Sequence, residues 1–219
     1  MCFSATASFL TAAVAGSCGL AAIARTQKRP EVPLAAMPLF FGLQQATEGV
    51  LWLILPTAPA PAATADLIQV FLMFALVVWP VYAPMAALLL EPDARRRSLI
   101  TACLLAGIIT SSYFLWSLYT VPRTAVIAAG HIIYSSDPDL PFLIRVLYPI
   151  ATCVGLMASS LAVVRWLGVI ITIGSLVAFF AYWDAFTSVW CFFAAAASGF
   201  LLLHFERARR RRSHEAPAR

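Results

Sequence analysis

Gln44, Glu48 and Trp52 recur at four-residue intervals, with Gln45 beside the first of them. On a helix that spacing stacks the three side chains on one face, one turn above another. Amides, a carboxylate and an indole on one face can hold a small cation or a polar ligand, the carboxylate supplying charge and the amides fixing orientation. The flanking residues from Leu34 to Leu55 are otherwise mostly apolar, so the stripe reads as the face a lipid-embedded helix turns toward other helices. A carboxylate within a membrane span is costly and by default marks a functional site.

Other chemistry-bearing residues fall at similar depths on other apolar runs. Arg145 lies about four residues into its run, close to the level of Glu48, so the two can pair. Tyr148, Tyr182 and Trp190 join them as candidate ligand contacts, and Ser4, Ser8, Gln69, Tyr113, Trp116, Asp184 and Cys191 reach the same half. Together they predict a polar, aromatic pocket open to the outside. Two alternatives stand beside this: Glu48 and Arg145 as an ion pair that fixes helix register, and the aromatics as interface anchors.

The stretch from Thr120 to Pro141 is long and apolar for a connection. Ala125 to Ala128 and His131 to Tyr134 flank Ala129-Gly130, which predicts a short hairpin or an amphipathic lid, and Ser135 to Leu140 form a turn-rich return. His131 completes the candidate ligand set. A metal set of Cys2, Glu48, His131 and Cys191 has the right residue types for zinc, although their spacing does not demand it. Cys2 and Cys191 share the oxidising side and can form a disulfide, whereas Cys18, Cys103 and Cys153 read as small buried hydrophobes. Pro80, Pro84 and Pro149 interrupt their runs and free backbone carbonyls that neighbours must satisfy.

The elements that position these residues are set by composition. The 219 residues are 62% hydrophobic and only 11% charged, with mean hydropathy +0.86, a balance that suits solvation by lipid. The prediction is all-α, one polytopic seven-transmembrane helix bundle over residues 1–205. Its spans cover about 4–24, 34–55, 66–90, 98–119, 142–163, 166–186 and 188–205, followed by an Arg-rich tail, 206–219. Basic residues occupy alternate gaps: Arg25, Lys28 and Arg29; Arg95, Arg96 and Arg97; Arg165 in a tight turn; and Arg207 to Arg212. The opposite gaps hold only Arg123. The positive-inside rule then places the N-terminus outside and the C-terminus in the cytoplasm of a plasma (inner) membrane protein. No basic region precedes the first apolar run, so it is expected to persist as a span. The net charge of +5 is accounted for by orientation and attraction to anionic lipid and calls for no nucleic-acid partner.

The opening Met1-Cys2-Phe3-Ser4-Ala5-Thr6-Ala7-Ser8-Phe9 resembles the start of a family of uncharacterised bacterial integral membrane proteins. That family is similar again in a Gln-Gln-x-x-Glu-Gly-x-x-Trp segment, here Gln44 to Trp52, and in Trp-Cys-Phe-Phe-Ala-Ala, here Trp190 to Ala195. The resemblance implies a membrane protein and singles out residues, but brings no activity with it.

Better-known classes are narrowed by what the chain contains. A retinal pigment needs a lysine in its last span, and Lys28 is the sole lysine, so retinal is excluded. Alkaline ceramidase-like hydrolases need three histidines on one side, which this chain cannot supply. Receptor-like topology is a fold analogy alone, and no phosphate loop, GxGxxG or HExxH appears. Two functional expectations remain. One is an outward pocket binding a small ligand or ion for sensing or transport. The other is an enzyme at the outer leaflet, with Cys2 as nucleophile or metal ligand and Glu48 or His131 as base. Partner binding through the Arg-rich tail is a third possibility, and the sequence specifies neither catalytic residues, nor a cofactor, nor an oligomeric state.

Overall fold

The computed structural model describes residues 4–57, 61–135 and 140–215, the side chains of Pro61, Phe192, Ala194, Ala196, Ser198 and residues 211–215 excepted. The described chain is almost entirely helical. Helices α1 (Ala5–Ile23) and α2 (Val32–Ile54) form an antiparallel pair. Ser4 starts α1 by accepting from the Ala7 amide at 3.2 Å, which satisfies one of the unpaired donors of a first turn. The two helices approach closely because small residues line their seam: a Cβ on Gly42 would lie 2.7 Å from the backbone nitrogen of Gly16.

Helix α3 (Pro61–Leu72) runs through a wide π segment, Met73–Val78, into α4 (Trp79–Leu90). After a short connection, α5 (Ala94–Thr120) begins at Asp93, whose carboxylate accepts from the Arg96 amide at 2.9 Å. Strands β1 (Ala125–Ala128) and β2 (His131–Tyr134) pair antiparallel, Ala128 opposite His131. Ala129 and Gly130 take φ of 48° and 75°, the left-handed pair that a two-residue hairpin turn requires. The hairpin expected from Ala129-Gly130 is thus present with the expected strands.

Helix α6 (Phe142–Pro149) passes through a second π segment, Ile150–Val154, into the short α7 (Gly155–Met157). Helices α8 (Ala162–Ala181), α9 (Phe186–Ala196) and α10 (Ser198–Glu215) complete the chain. Four helical stretches, Ala5–Ile23, Ala62–Leu90, Ala94–Thr120 and Ala162–Ala181, are long and apolar enough to cross a membrane. Such lengths and compositions are those of a membrane protein.

Several boundaries differ from the sequence expectation. The turn between the fifth and sixth apolar runs lies at 158–161, not around Arg165, which sits in the first turn of α8. Its cause is a carboxylate: Glu91, 2% exposed, accepts from the Ser159 hydroxyl and the Ser160 amide, each at 2.8 Å, and from the Ser160 hydroxyl at 2.6 Å. Residues 206–215, read as a tail, continue α10 as helix.

The Arg-rich connections meet at one end. Arg25 pairs with Glu206 at 2.7 Å, Arg96 donates to the Ala158 carbonyl at 2.9 Å, and Arg165 lies 3.4 Å from the Ser159 carbonyl. The hairpin lies against residues 55–57 and 183–185, at the other end of the helices.

Candidate functional site

Helix α2 buries the amides and the carboxylate of its stripe completely, while Trp52 is half-buried. Gln44, Gln45 and Glu48 are each 0% exposed. An amide buried without partners costs several kcal/mol, and Gln44 avoids this by bridging two other helices. Its Oε1 accepts from the Trp79 indole on α4 at 2.8 Å, and its Nε2 donates to Cys191 Sγ on α9 at 3.0 Å. One turn on, Gln45 Nε2 donates to Glu48 Oε2 at 3.2 Å, while Gln45 Oε1 has no hydrogen-bond partner among the described residues.

Beside Gln44 lies a small cavity of about 30 Å³. Phe41, Trp79, Tyr148, Thr152, Trp190 and Cys191 line it. That volume matches one water molecule, so a guest here is water-sized. The Trp190 indole nitrogen is buried with no partner among the described residues. Tyr148 packs edge-on against Trp190, ring centres 5.3 Å apart, and its hydroxyl donates to the Ala75 carbonyl in the first π segment. Ser111 caps a second carbonyl of that segment, Val77, at 2.6 Å. Backbone groups released by the wide turn are therefore answered by side chains, as lipid requires.

The hairpin covers the next layer. Ile132 is fully buried against Leu51, Ile68 and Phe71, with Trp52 packed on the same cluster. Tyr134 stacks on Phe71 with ring centres 4.6 Å apart, and His131 meets Tyr182 edge-on at 5.2 Å. Burial pushes the His131 imidazole below its ordinary value, which keeps it neutral at pH 7.

Of the residues singled out in the sequence, Gln44, Gln45, Glu48, Tyr148, Trp190 and Cys191 converge around the lower layer. Trp52, His131 and Tyr182 belong to the hairpin layer. Arg145 does not join them: it lies exposed on α6 and forms no ion pair with Glu48. Asp184 and Trp116 are also exposed, and Gln69 donates to the Leu118 carbonyl at 3.3 Å. Cys191 is a free thiol, and Cys2 falls outside the described residues. Among the described residues no three His, Cys, Asp or Glu side chains gather to hold a metal.

The sequence reading missed Trp79 and Phe41, which stack with ring centres 3.8 Å apart on the cavity wall. A tryptophan in mid-run carries an N–H that must find an acceptor when buried, and the amides of α2 were the available ones.

No curated protein and no solved structure matches the chain. A family model does match, over residues 1–218, nearly the whole length that carries the α2 stripe, the hairpin and the cavity, and by that match the chain belongs to the family of unknown function DUF6629.

Proposed function

We propose that this is a seven-span plasma (inner) membrane protein, N-terminus outside and basic end cytoplasmic, whose α2 stripe binds a small ion or water-sized polar ligand for sensing or transport. The observation that carries the reading is the total burial of Gln44, Gln45 and Glu48 on one face of a helix in an otherwise apolar bundle. Holding a carboxyl there is expensive even with the Gln45 amide donating to it, and a bound cation or proton would stabilise it further. The cavity of about 30 Å³ nearby is walled by Trp79 and Cys191, the two hydrogen-bond partners of Gln44, and would hold a water-sized guest one side chain away from the stripe. The orientation is supported by the meeting of Arg25, Arg96 and Arg165 at one end.

The test is a titration of the purified chain in lipid nanodiscs with protons, Na+, K+, ammonium and small amines, read as the thermal midpoint. A ligand at a hundred times its dissociation constant stabilises the bound state by about 2.7 kcal/mol, which is readily seen. At least one of these should raise the midpoint of the wild type and leave Glu48→Gln unmoved. No shift with any of them, in a chain whose Glu48→Gln variant melts like the wild type, would reduce Glu48 to a packing residue.

A further inference from the structure

A larger space than the one beside Gln44 lies at the basic end. A cavity of about 310 Å³ opens among the end of α1, the start of α2, the end of α4, the start of α8 and α10. Its size is that of a small-ligand pocket. Its walls divide by chemistry. Leu34, Leu90, Leu161, Val163 and Phe205 form the apolar part, and Arg25, Gln27 and His204 the polar part, with the Glu31 carboxylate also on the lining.

Arg25 is pre-positioned. Its Nε donates to Glu206 Oε2 and its Nη1 to the Ala21 carbonyl, both at 2.7 Å, so the guanidinium is held in one plane. Its Nη2 takes no protein partner among the described residues. Glu206 is held in turn by Arg210 at 2.8 Å, and the two arginines draw its carboxyl down to about 2. Glu31 is turned to its own backbone, accepting from the amides of Gln27 and Lys28 at 2.7 and 3.3 Å. A fixed guanidinium with a donor to spare suits a phosphate oxygen. An apolar wall beside it, at the membrane end where basic residues gather, suits the first methylenes of an acyl chain.

We propose that this cavity is a phospholipid site on the basic side of the bundle, with the headgroup phosphate on Arg25 and the chain against Leu34, Leu90, Leu161 and Phe205. It is separate from the α2 stripe, and it stands whether or not that stripe binds an ion.

The full chain, purified in detergent and stripped of loosely held lipid, would be examined by native mass spectrometry and phosphorus analysis, then offered phosphatidylglycerol, phosphatidylethanolamine, glycerol phosphate or inorganic phosphate. The expected result is one phospholipid retained per chain, with at least a tenfold loss in Arg25→Gln and in Ala208→Trp, a change that fills the mouth without altering charge. Retention of phosphatidylglycerol over phosphatidylethanolamine, or the reverse, names the headgroup and in either case supports the site. Glycerol phosphate or inorganic phosphate binding as tightly as the lipids would assign the cavity to a soluble phosphate and overturn the lipid proposal. Wild-type protein that keeps no stoichiometric phosphorus would overturn it with no variant needed, and so would lipid retained equally by a folded Ala208→Trp.

Discussion

The Trp79 indole donates to Gln44 Oε1 at 2.8 Å across the α2–α4 seam, and the same amide passes a hydrogen bond to Cys191 on α9. One glutamine thereby ties three helices. Gln44→Leu leaves the buried indole N–H without an acceptor and should lower stability by about 1–3 kcal/mol. Trp79→Phe in that background should recover part of the loss. Thermal midpoints of the two single variants and the double variant measure the coupling, and additive effects would show that the bond contributes nothing.

The Glu91 clasp makes a pH prediction. Burial raises its carboxyl, but hydrogen bonds from Ser160, Ser159 and Asp93 more than reverse this and set it below its ordinary 4.5. A carboxyl lowered in the folded state stabilises fully above its unfolded value and loses that contribution as pH falls through the folded one. The wild type should therefore lose stability below about pH 4.5 more steeply than Glu91→Gln. Melting curves of both across the acid range decide it.

Close approach of α4 and α5 depends on Gly107, where a Cβ would run into the Pro80 carbonyl. Pro84, four residues on, has no N–H to give that carbonyl, so α5 packs directly against it. Gly107→Ala should cost about 1–3 kcal/mol by forcing the helices apart. An unchanged midpoint would show that the seam yields freely.

In the hairpin turn, Ala129 holds a φ of 48°, which a Cβ disfavours by roughly 1 kcal/mol. Ala129→Gly should slow amide exchange in β1 and β2, and Gly130→Ala should speed it. Opposite signs at adjacent positions would confirm a turn limited by backbone conformation.

The proposed orientation is checked in intact cells with a membrane-impermeant maleimide. Val126→Cys on the exposed face of β1 should label, and Arg209→Cys should not. Labelling at the second position alone would invert the protein in the membrane.

What the sequence revealed and what it hid have separate physical causes. The α2 stripe was legible because a four-residue period is a property of one helix, and the hairpin because Ala129-Gly130 sits between two β-branched runs. The Glu48–Arg145 pair was not, because equal depth says nothing about rotation. Ile144 is buried in α6, and Arg145 is turned about 100° from it, out of the bundle. The turn at 158–161 was hidden because its determinant, Glu91, lies 68 residues from Ser159 in the chain. The cavity at the basic end is assembled from five separate elements, and no local pattern announces it.

The π segment at Met73–Val78 has a consequence for how this chain can change. A π turn accommodates one residue more than an α turn, and one residue corresponds to about 100° of rotation. The wide turn absorbs that residue, so Ile68 and Phe71 face the hairpin and Trp79 faces Gln44 as they would on an unbroken helix without it. Deleting a single residue there would relax the helix to ordinary geometry and leave its two flanks in phase, whereas deleting one from the α-helical stretch on either side would swing those flanks about 100° apart. The wide turn is thus the one place along this helix where a residue can be lost while Trp79 still faces Gln44 and Phe71 the hairpin.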